Sequence, residues 1–267
     1  GAPQALNLLM WSVEPPSSVH VRRLGLSGQP LPHFVVRAMS SSAADGEPQK
    51  KAYLLNHGSF NPPHKGHAGM MQKAKERLES AGWEVVAASL APASDEYVQH
   101  KMRSLERPVR EALALDLRVR TCEAVSADLE WLSCDPRGEF YRSAPHMAWK
   151  LLSKEHPGVV LFSVIGADVA RKGVRDDCPH VVVSRAGSKL QFETNEKCHH
   201  YVAELGEDTG FHGFSSTHVR EAMRAGNWDG VAQMCGEGAA DLLREHSGGH
   251  PPAEATRGKK RSLHEED

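Results

Sequence analysis

Residues 54–71, LLNHGSFNPPHKGHAGMM, join an apolar run to a helical pattern through a glycine, two prolines and two histidines. A short apolar run of the AYLLN kind, stopping at a residue without a Cβ, reads as a buried strand that ends in a tight turn. Beyond the turn, Met70, Ala74 and Leu78 recur at i, i+4 and i+8, the spacing of one helix face. EVVAASLAP, 84–92, then reads as a second buried strand. A strand, a helical crossover and a second strand make a βαβ unit, which requires a parallel sheet covered by helices.

The alternation continues along the chain. SLERPVREALALDLRVR, 104–120, predicts a helix with Val109, Leu113 and Leu117 on one face, and SAPHMAWKLLSKEHPG, 143–158, predicts another with Ala144, Met147, Leu151 and Leu152 inward, closed by Pro157-Gly158. VVLFSVIGAD and HVVVSRAG are continuous apolar strands of the doubly covered kind. The fold class is therefore α/β, a doubly wound Rossmann-like parallel sheet. It is expected as a single domain over 50–247, between a leader, 1–49, and a flexible polar tail, 248–267. Ligands of such sheets sit at the carboxyl ends of the strands. HGSFNPPHKGH, APASDEY, GAD and SRAG each begin where a strand should stop.

Charge and cysteine content narrow the partners. The 32 basic and 34 acidic residues give no general field for nucleic acid or an anionic membrane, so neither is expected as a partner. Five cysteines without a CxxC pair argue against a disulfide framework and fit a reducing compartment. Nothing approaches the roughly 20 apolar residues of a membrane span. The leader carries Arg22, Arg23 and Arg37 with Glu14 as the only acid before Asp45, the composition of a transit peptide or a disordered extension. Arg257, Lys259, Lys260 and Arg261 in the tail have the make-up of a nuclear import signal or of a solvated charged end. Cytoplasmic or nuclear residence is expected, with organellar targeting by the leader as the alternative. A homo-oligomer is compatible with this reading.

The 54–71 stretch has legible chemistry. Gly58 lets the backbone approach a ligand, and a helix beginning near Gly66 aims its positive end at the same place. His64 and His67, three apart in the first turn, can face one point, with no Cys, Asp or Glu at metal-ligand spacing. They suit a phosphate better than a metal ion, and no resident metal is expected. A second candidate anion site lies in GFSSTHVREAMRAG, 213–226, where Ser215 and Ser216 can cap a helix with Val219, Ala222 and Met223 inward and Arg220 one turn on. Adjacent Cys198, His199 and His200 in KCHHY make poor joint ligands of one ion and read as a surface loop.

GSFNPPHKGH resembles the GxFxPxHxGH signature of the nucleotidylyltransferases, and FSSTHVR, 214–220, resembles their ISSTxxR element. With GADV at 166–169 and VVVSRAG at 181–187, the chain over 52–246 is similar to the nicotinamide/nicotinic acid mononucleotide adenylyltransferases. The resemblance implies transfer of an adenylyl group from ATP, with Mg²⁺ on the triphosphate, to nicotinamide or nicotinic acid mononucleotide, giving a dinucleotide and pyrophosphate. It implies His64, His67 and Arg220 as the catalytic set. Gly58, Ser59 and Phe60 would contact nucleotide, Gly166 and Asp168 a ribose or base edge, Arg185 the substrates, and Ser216, Thr217, His218 and Val219 the ATP phosphates. Trp131 falls near the family tryptophan that stacks on the pyridine ring. Two departures stand out: DEYVQHKM supplies only Lys101, one place from the family's lysine, and the segment between GADV and VVVSRAG is short. The alternatives are a different acceptor, of phosphopantetheine or phosphocholine type with CTP, and a nucleotide-binding or chaperone-like relative without the reaction. For the pyridine ring, Arg171, Lys172 and Arg175 stand beside Asp176 and Asp177, and use of both the acidic and the amidated ring is expected, within about tenfold.

Overall fold

In the computed structural model of the chain, six strands pair all in parallel: β1 (Lys50–Gly58), β2 (Trp83–Pro92), β3 (Leu132–Cys134), β4 (Val159–Gly166), β5 (His180–Arg185) and β6 (His200–Leu205), in the order β3-β2-β1-β4-β5-β6. The structure describes residues 49–137, 145–171, 173–174, 178–185, 187, 192–211 and 213–248, without the side chains of 145–149 and 208. The leader, most of the tail with its basic cluster, and Lys172, Arg175, Asp176 and Asp177 lie outside these residues. By contacts the chain divides into Gly1–Gly46 and Glu47–Asp267, and the sheet belongs to the second unit.

The expected doubly wound sheet is thus found. β1 is buried on both faces because its neighbours cover it alternately. Ala52 and Leu54 join Met71, Ala74 and Leu78 of α1 (Lys65–Ser80) in one core with Phe162, Val164, Val181 and Val183. Tyr53 and Leu55 join Ala91, Leu161 and Leu152 of α4 (Pro145–Glu155) in another on the opposite face. α1 buries Met71 where the sequence reading put Met70. Met70, one position round the helix, reaches the cavity described below.

Three elements depart from the sequence reading. The helix expected over 104–120 is divided among α2 (Asp95–Ser104), a 3₁₀ turn (Val109–Glu111) and α3 (Leu115–Ser126). Pro108 precedes the 3₁₀ turn, and the Asn61 side chain bonds the freed backbone by accepting from the Leu113 N–H at 2.8 Å and donating to the Glu111 carbonyl at 3.0 Å. KCHHY is no loop throughout: β6 starts at His200, and Tyr201 is buried with its hydroxyl accepting from the Trp83 indole at 3.0 Å. β3 is only three residues long, too short for a periodicity to show.

The carboxyl half adds α5 (Ala167–Ala170), α6 (Ser216–Arg224), α7 (Trp228–Cys235) and α8 (Glu237–Gly248). Leu113 and Leu117 pack with Val219, Val231 and Leu243 in a third core that ties α6, α7 and α8 to α3. Among the described residues, no helix is long and apolar enough to cross a membrane. Since β1 pairs with β2 on one side and β4 on the other, the strand order reverses beside β1. The carboxyl ends of β1 and β4 part there, as a ligand cleft requires.

Candidate active site

A cavity of about 490 Å³ opens at that point, a volume in the usual range for small-molecule sites. Of the residues singled out in the sequence, Gly58, Ser59, Phe60, His64, His67, Lys101, Gly166, Asp168, Arg185 and Ser216 line it. Four strands contribute to its floor, through Asn56, Val164, Val183 and Leu205, and Met70, Phe211 and Phe214 also line it.

Side chains from α3, α6 and α7 hold the backbone of the turn from β1 to α1. The Ser59 carbonyl accepts from Arg118 at 3.0 Å, the Asn61 carbonyl from Arg220, the Pro62 carbonyl from the Ser216 hydroxyl at 2.8 Å and the Pro63 carbonyl from the Cys235 thiol at 3.3 Å. A carbonyl engaged in this way does not point at a bound anion, so these bonds clear the cavity wall of negative dipole ends. Phe60 sits in the left-handed region at φ +42°, a strained position for an aromatic residue. Its buried ring is edge-on to His67, with centroids 4.9 Å apart, and closes over Gly58, where a Cβ would lie 3.3 Å from the ring.

His64 is the N-cap of α1 and His67 occupies its first turn. The His67 N–H donates to the His64 carbonyl at 2.8 Å, and the His64 N–H donates to Nδ1 of His67 at 3.1 Å. With Nδ1 accepting, the neutral His67 ring carries its proton on Nε2. The rings stand 3.9 Å apart. Burial, reinforced by His67, Arg185 and His218, holds the His64 pKa far below the usual imidazole range. Burial also brings His67 down to about 4, with Arg185 and Lys101 adding to the effect and the bond from His64 opposing it. Both imidazoles are neutral near pH 7. Nδ1 of His64 is buried without a hydrogen-bond partner among the described residues.

Two cationic side chains flank this pair on the wall. Lys101 of α2 donates to the Ser59 hydroxyl at 3.1 Å, so its one-place displacement in sequence still brings it to the site. Arg185, exposed at the end of β5, faces both histidines closely enough to lower their pKa values. Arg171, exposed just after α5, also lines the cavity.

Arg220 is placed differently from the sequence reading. It is 7% exposed and lies off the cavity lining, donating to the Asn61 carbonyl and, at 3.3 Å, to Thr217 Oγ1, with its Nε 3.5 Å from Glu111 Oε2. Burial lowers its pKa, with Arg107 contributing. The hydroxyl of Thr217 accepts from Arg107 as well, at 2.9 Å, and Val219 is fully buried in the third core. Ser215 caps α6 by accepting from the His218 N–H at 3.1 Å, while the His218 ring turns back to the Gly213 carbonyl at 3.1 Å. Trp131 does not reach the cavity: it packs against the α1-side core, with the Lys75 ammonium 5.7 Å above its ring. An edge strand three residues long leaves it at the flank of the sheet.

Sequence reading missed Asn56, His57, Arg107, Arg118, Phe211 and Phe214. Asn56 and His57 look like strand body, yet both line the cavity. Arg118, wholly buried, donates to the Leu113 carbonyl at 2.9 Å, the Ser59 carbonyl and Asp95 at 2.7 Å. Its place on the α3 stripe with Thr121 and Cys122 was the available signal. Among the described residues no three His, Cys, Asp or Glu side chains gather to hold a metal ion.

Residues 55–222 match the model of the cytidylyltransferase-like family. The chain belongs to this family. No curated protein sequence matches it. Among solved structures, Plasmodium falciparum nicotinic acid mononucleotide adenylyltransferase complexed with APC superposes with a TM-score of 0.50 at 10% identity, over 74% of this chain and 96% of that one. The same enzyme complexed with NaAD gives 0.49 at 11% identity, again over 74% and 96%. The first of these likenesses shows a shared fold. Within the family, the region matched runs from the end of β1 through the first two turns of α6, so it contains both histidines and the Ser215-capped helix start.

Proposed function

We propose that this chain transfers an adenylyl group from ATP to nicotinamide or nicotinic acid mononucleotide, releasing pyrophosphate. The observation that carries the reading is the placement of two neutral histidines, Lys101 and Arg185 around one cavity at the strand-order reversal. The acceptor phosphate attacks the α-phosphorus in line, the bond to the pyrophosphate oxygen breaks, and no covalent enzyme intermediate is needed. His67, with its Nε2 proton, donates to the oxygens on which charge builds, and His64 lines the same corner. Lys101 and Arg185 neutralise the phosphates. Such positioned donors act chiefly by electrostatic preorganisation.

Mg²⁺ would enter on the triphosphate. Among the described residues, Asp168 is the one carboxylate on the lining, which fits a cation that keeps most of its ligands as water and phosphate oxygens. Arg220 and Arg118 act as positioning residues by fixing the 58–64 turn. With Arg171 and Arg185 both on the wall, an acidic ring finds cations. Use of both remains the reading.

A second reading is favoured by the family match itself: CTP as the donor, with a phosphocholine- or phosphopantetheine-type acceptor. Pyrophosphate release from the full chain, measured with ATP and with CTP against each acceptor in turn, separates the two. Turnover with ATP and either pyridine mononucleotide is expected. Turnover only with CTP overturns the proposal, and ATP binding without any product supports the relative that has lost the reaction.

A further inference from the structure

Asn56 is 5% exposed, lines the cavity, and has a side-chain nitrogen, Nδ2, that is buried with no hydrogen-bond partner among the described residues. It follows Ala52 and Leu54 on the α1 side of β1, both fully buried. The ladder that pairs Leu55 with Ser163 sets Asn56 beside Val164, whose partner on the next strand is Val181, with Val183 two residues further toward the strand end. A primary amide on an apolar floor, with no protein acceptor, costs the folded chain about as much as a lost hydrogen bond. A leucine at this place, after Ala52 and Leu54, would extend the core without the cost. Lys101 and Arg185 on the same wall are cations and cannot accept from the amide.

We propose that Asn56 is a further substrate-contacting residue, whose amide donates to a ribose or phosphate oxygen of the bound nucleoside triphosphate. The inference rests on the nucleotidyl-transfer reading of the same cavity. The α1 side is where His64 and His67 stand, so Asn56 serves the donor nucleotide and not the acceptor. A neutral amide suits this buried position, where an ammonium or guanidinium would pay a larger desolvation cost.

The test uses the full chain and the variants Asn56→Leu and Asn56→Asp. Thermal unfolding without ligand, calorimetric ATP affinity, and KM values for ATP and for the mononucleotide are measured on each. Asn56→Leu should unfold at the same temperature as wild type or higher, bind ATP at least about tenfold more weakly, and keep its KM for the mononucleotide. Asn56→Asp keeps the shape and removes the donor, so its ATP affinity should fall further through repulsion of the phosphates, and it decides the matter should the leucine variant not fold. Lowered thermal stability with unchanged ATP affinity would make Asn56 a structural residue and overturn the proposal. A raised KM for the mononucleotide alone would overturn the assignment to the triphosphate. If wild type itself neither binds ATP nor releases pyrophosphate, the nucleotidyl-transfer reading fails, and this inference with it. If wild type does both and Asn56→Leu matches it, only the role of Asn56 fails.

Discussion

The backbone N–H of His64 donates to Nδ1 of His67 at 3.1 Å, so the cap of α1 dictates which nitrogen of the second histidine bears a proton. That bond aligns Nε2–H as a donor without help from a carboxylate. Replacing His67 by alanine removes this donor, and turnover should fall by roughly 10²-fold or more, the scale of losing one positioned charge-stabilising group. Pyrophosphate release at saturating ATP and mononucleotide measures it, and unchanged turnover would remove His67 from the reaction.

Gly66 between the histidines is required by space. A Cβ there would lie 2.8 Å from His64 Nδ1, 2.9 Å from its Cε1 and 3.3 Å from the Phe211 carbonyl oxygen. The His64 ring is 4% exposed and has nowhere to retreat. Gly66→Ala should therefore cost about 1–3 kcal/mol of stability, as overpacking does, together with at least a tenfold loss of kcat/KM. Gly238→Ala in α8, whose Cβ would meet only Ala124 at 4.0 Å, is the control. It should gain stability by roughly 0.5–1 kcal/mol. Urea unfolding and pyrophosphate assays of both variants compare them.

Stability should respond to acid through the same pair. His67 in the fold is held at about 4 and His64 lower still, against 6.5 for an ordinary imidazole. Above pH 6.5 folded and unfolded chains alike leave these rings neutral. As pH falls from 6.5 toward 4, the unfolded chain takes up protons that the folded chain refuses, so stability is lost across that window. The unfolding free energy of wild type should fall more between pH 7 and pH 4.5 than that of His67→Gln. Equal losses would show that His67 is not held neutral. For the free enzyme, kcat/KM should stay level from pH 6 to 8 as far as this group is concerned.

The elements that sequence made plain are those where one period repeats over several turns or where a strand is buried on both faces. β1, β2, β4 and β5 each carry a short apolar run, and α1 shows its face within one position. The histidines and Gly58 were legible because turn, cap and charge coincide within ten residues. What failed to show depends on contacts distant in sequence. Asn61 bonds backbone some 50 residues away and breaks a helix that periodicity favours. Arg220 has the spacing of a phosphate clamp, and its bond to the Asn61 carbonyl, 159 residues earlier, leaves no local mark. Trp131 had the right residue type for stacking on a ring, but a short edge strand put it beneath Lys75.

Arg118 is the largest fully buried side chain of the described residues, and its guanidinium links the β1 turn to α2 and α3. Arg118→Met fills the volume and strands the Ser59 and Leu113 carbonyls. The expected loss is about 1–3 kcal/mol, chiefly from the buried Leu113 carbonyl left without a partner. Asp95 is 45% exposed, stays hydrated and adds little. Because the Ser59 carbonyl is then released, KM for the nucleotide should rise as well. Unfolding in urea with a steady-state assay tests both, and unchanged KM would confine Arg118 to stability.

Arg220 distinguishes a loop tether from a phosphate clamp. Its Nη1 holds the Asn61 carbonyl, its Nη2 the Thr217 hydroxyl, and its Nε faces Glu111 at 3.5 Å. A lysine has one ammonium and cannot span three directions. Arg220→Lys should therefore lower thermal stability and activity together, by about 1–3 kcal/mol in the first, the cost of leaving a buried acceptor unsatisfied. A double-mutant cycle with Glu111→Gln should show coupling, since the two groups share one buried contact. A residue acting on phosphate alone would give the opposite pattern: stability intact, KM for ATP raised, and partial function kept by lysine, whose charge serves a phosphate as well. Measuring unfolding and KM on the same preparations decides between tether and clamp.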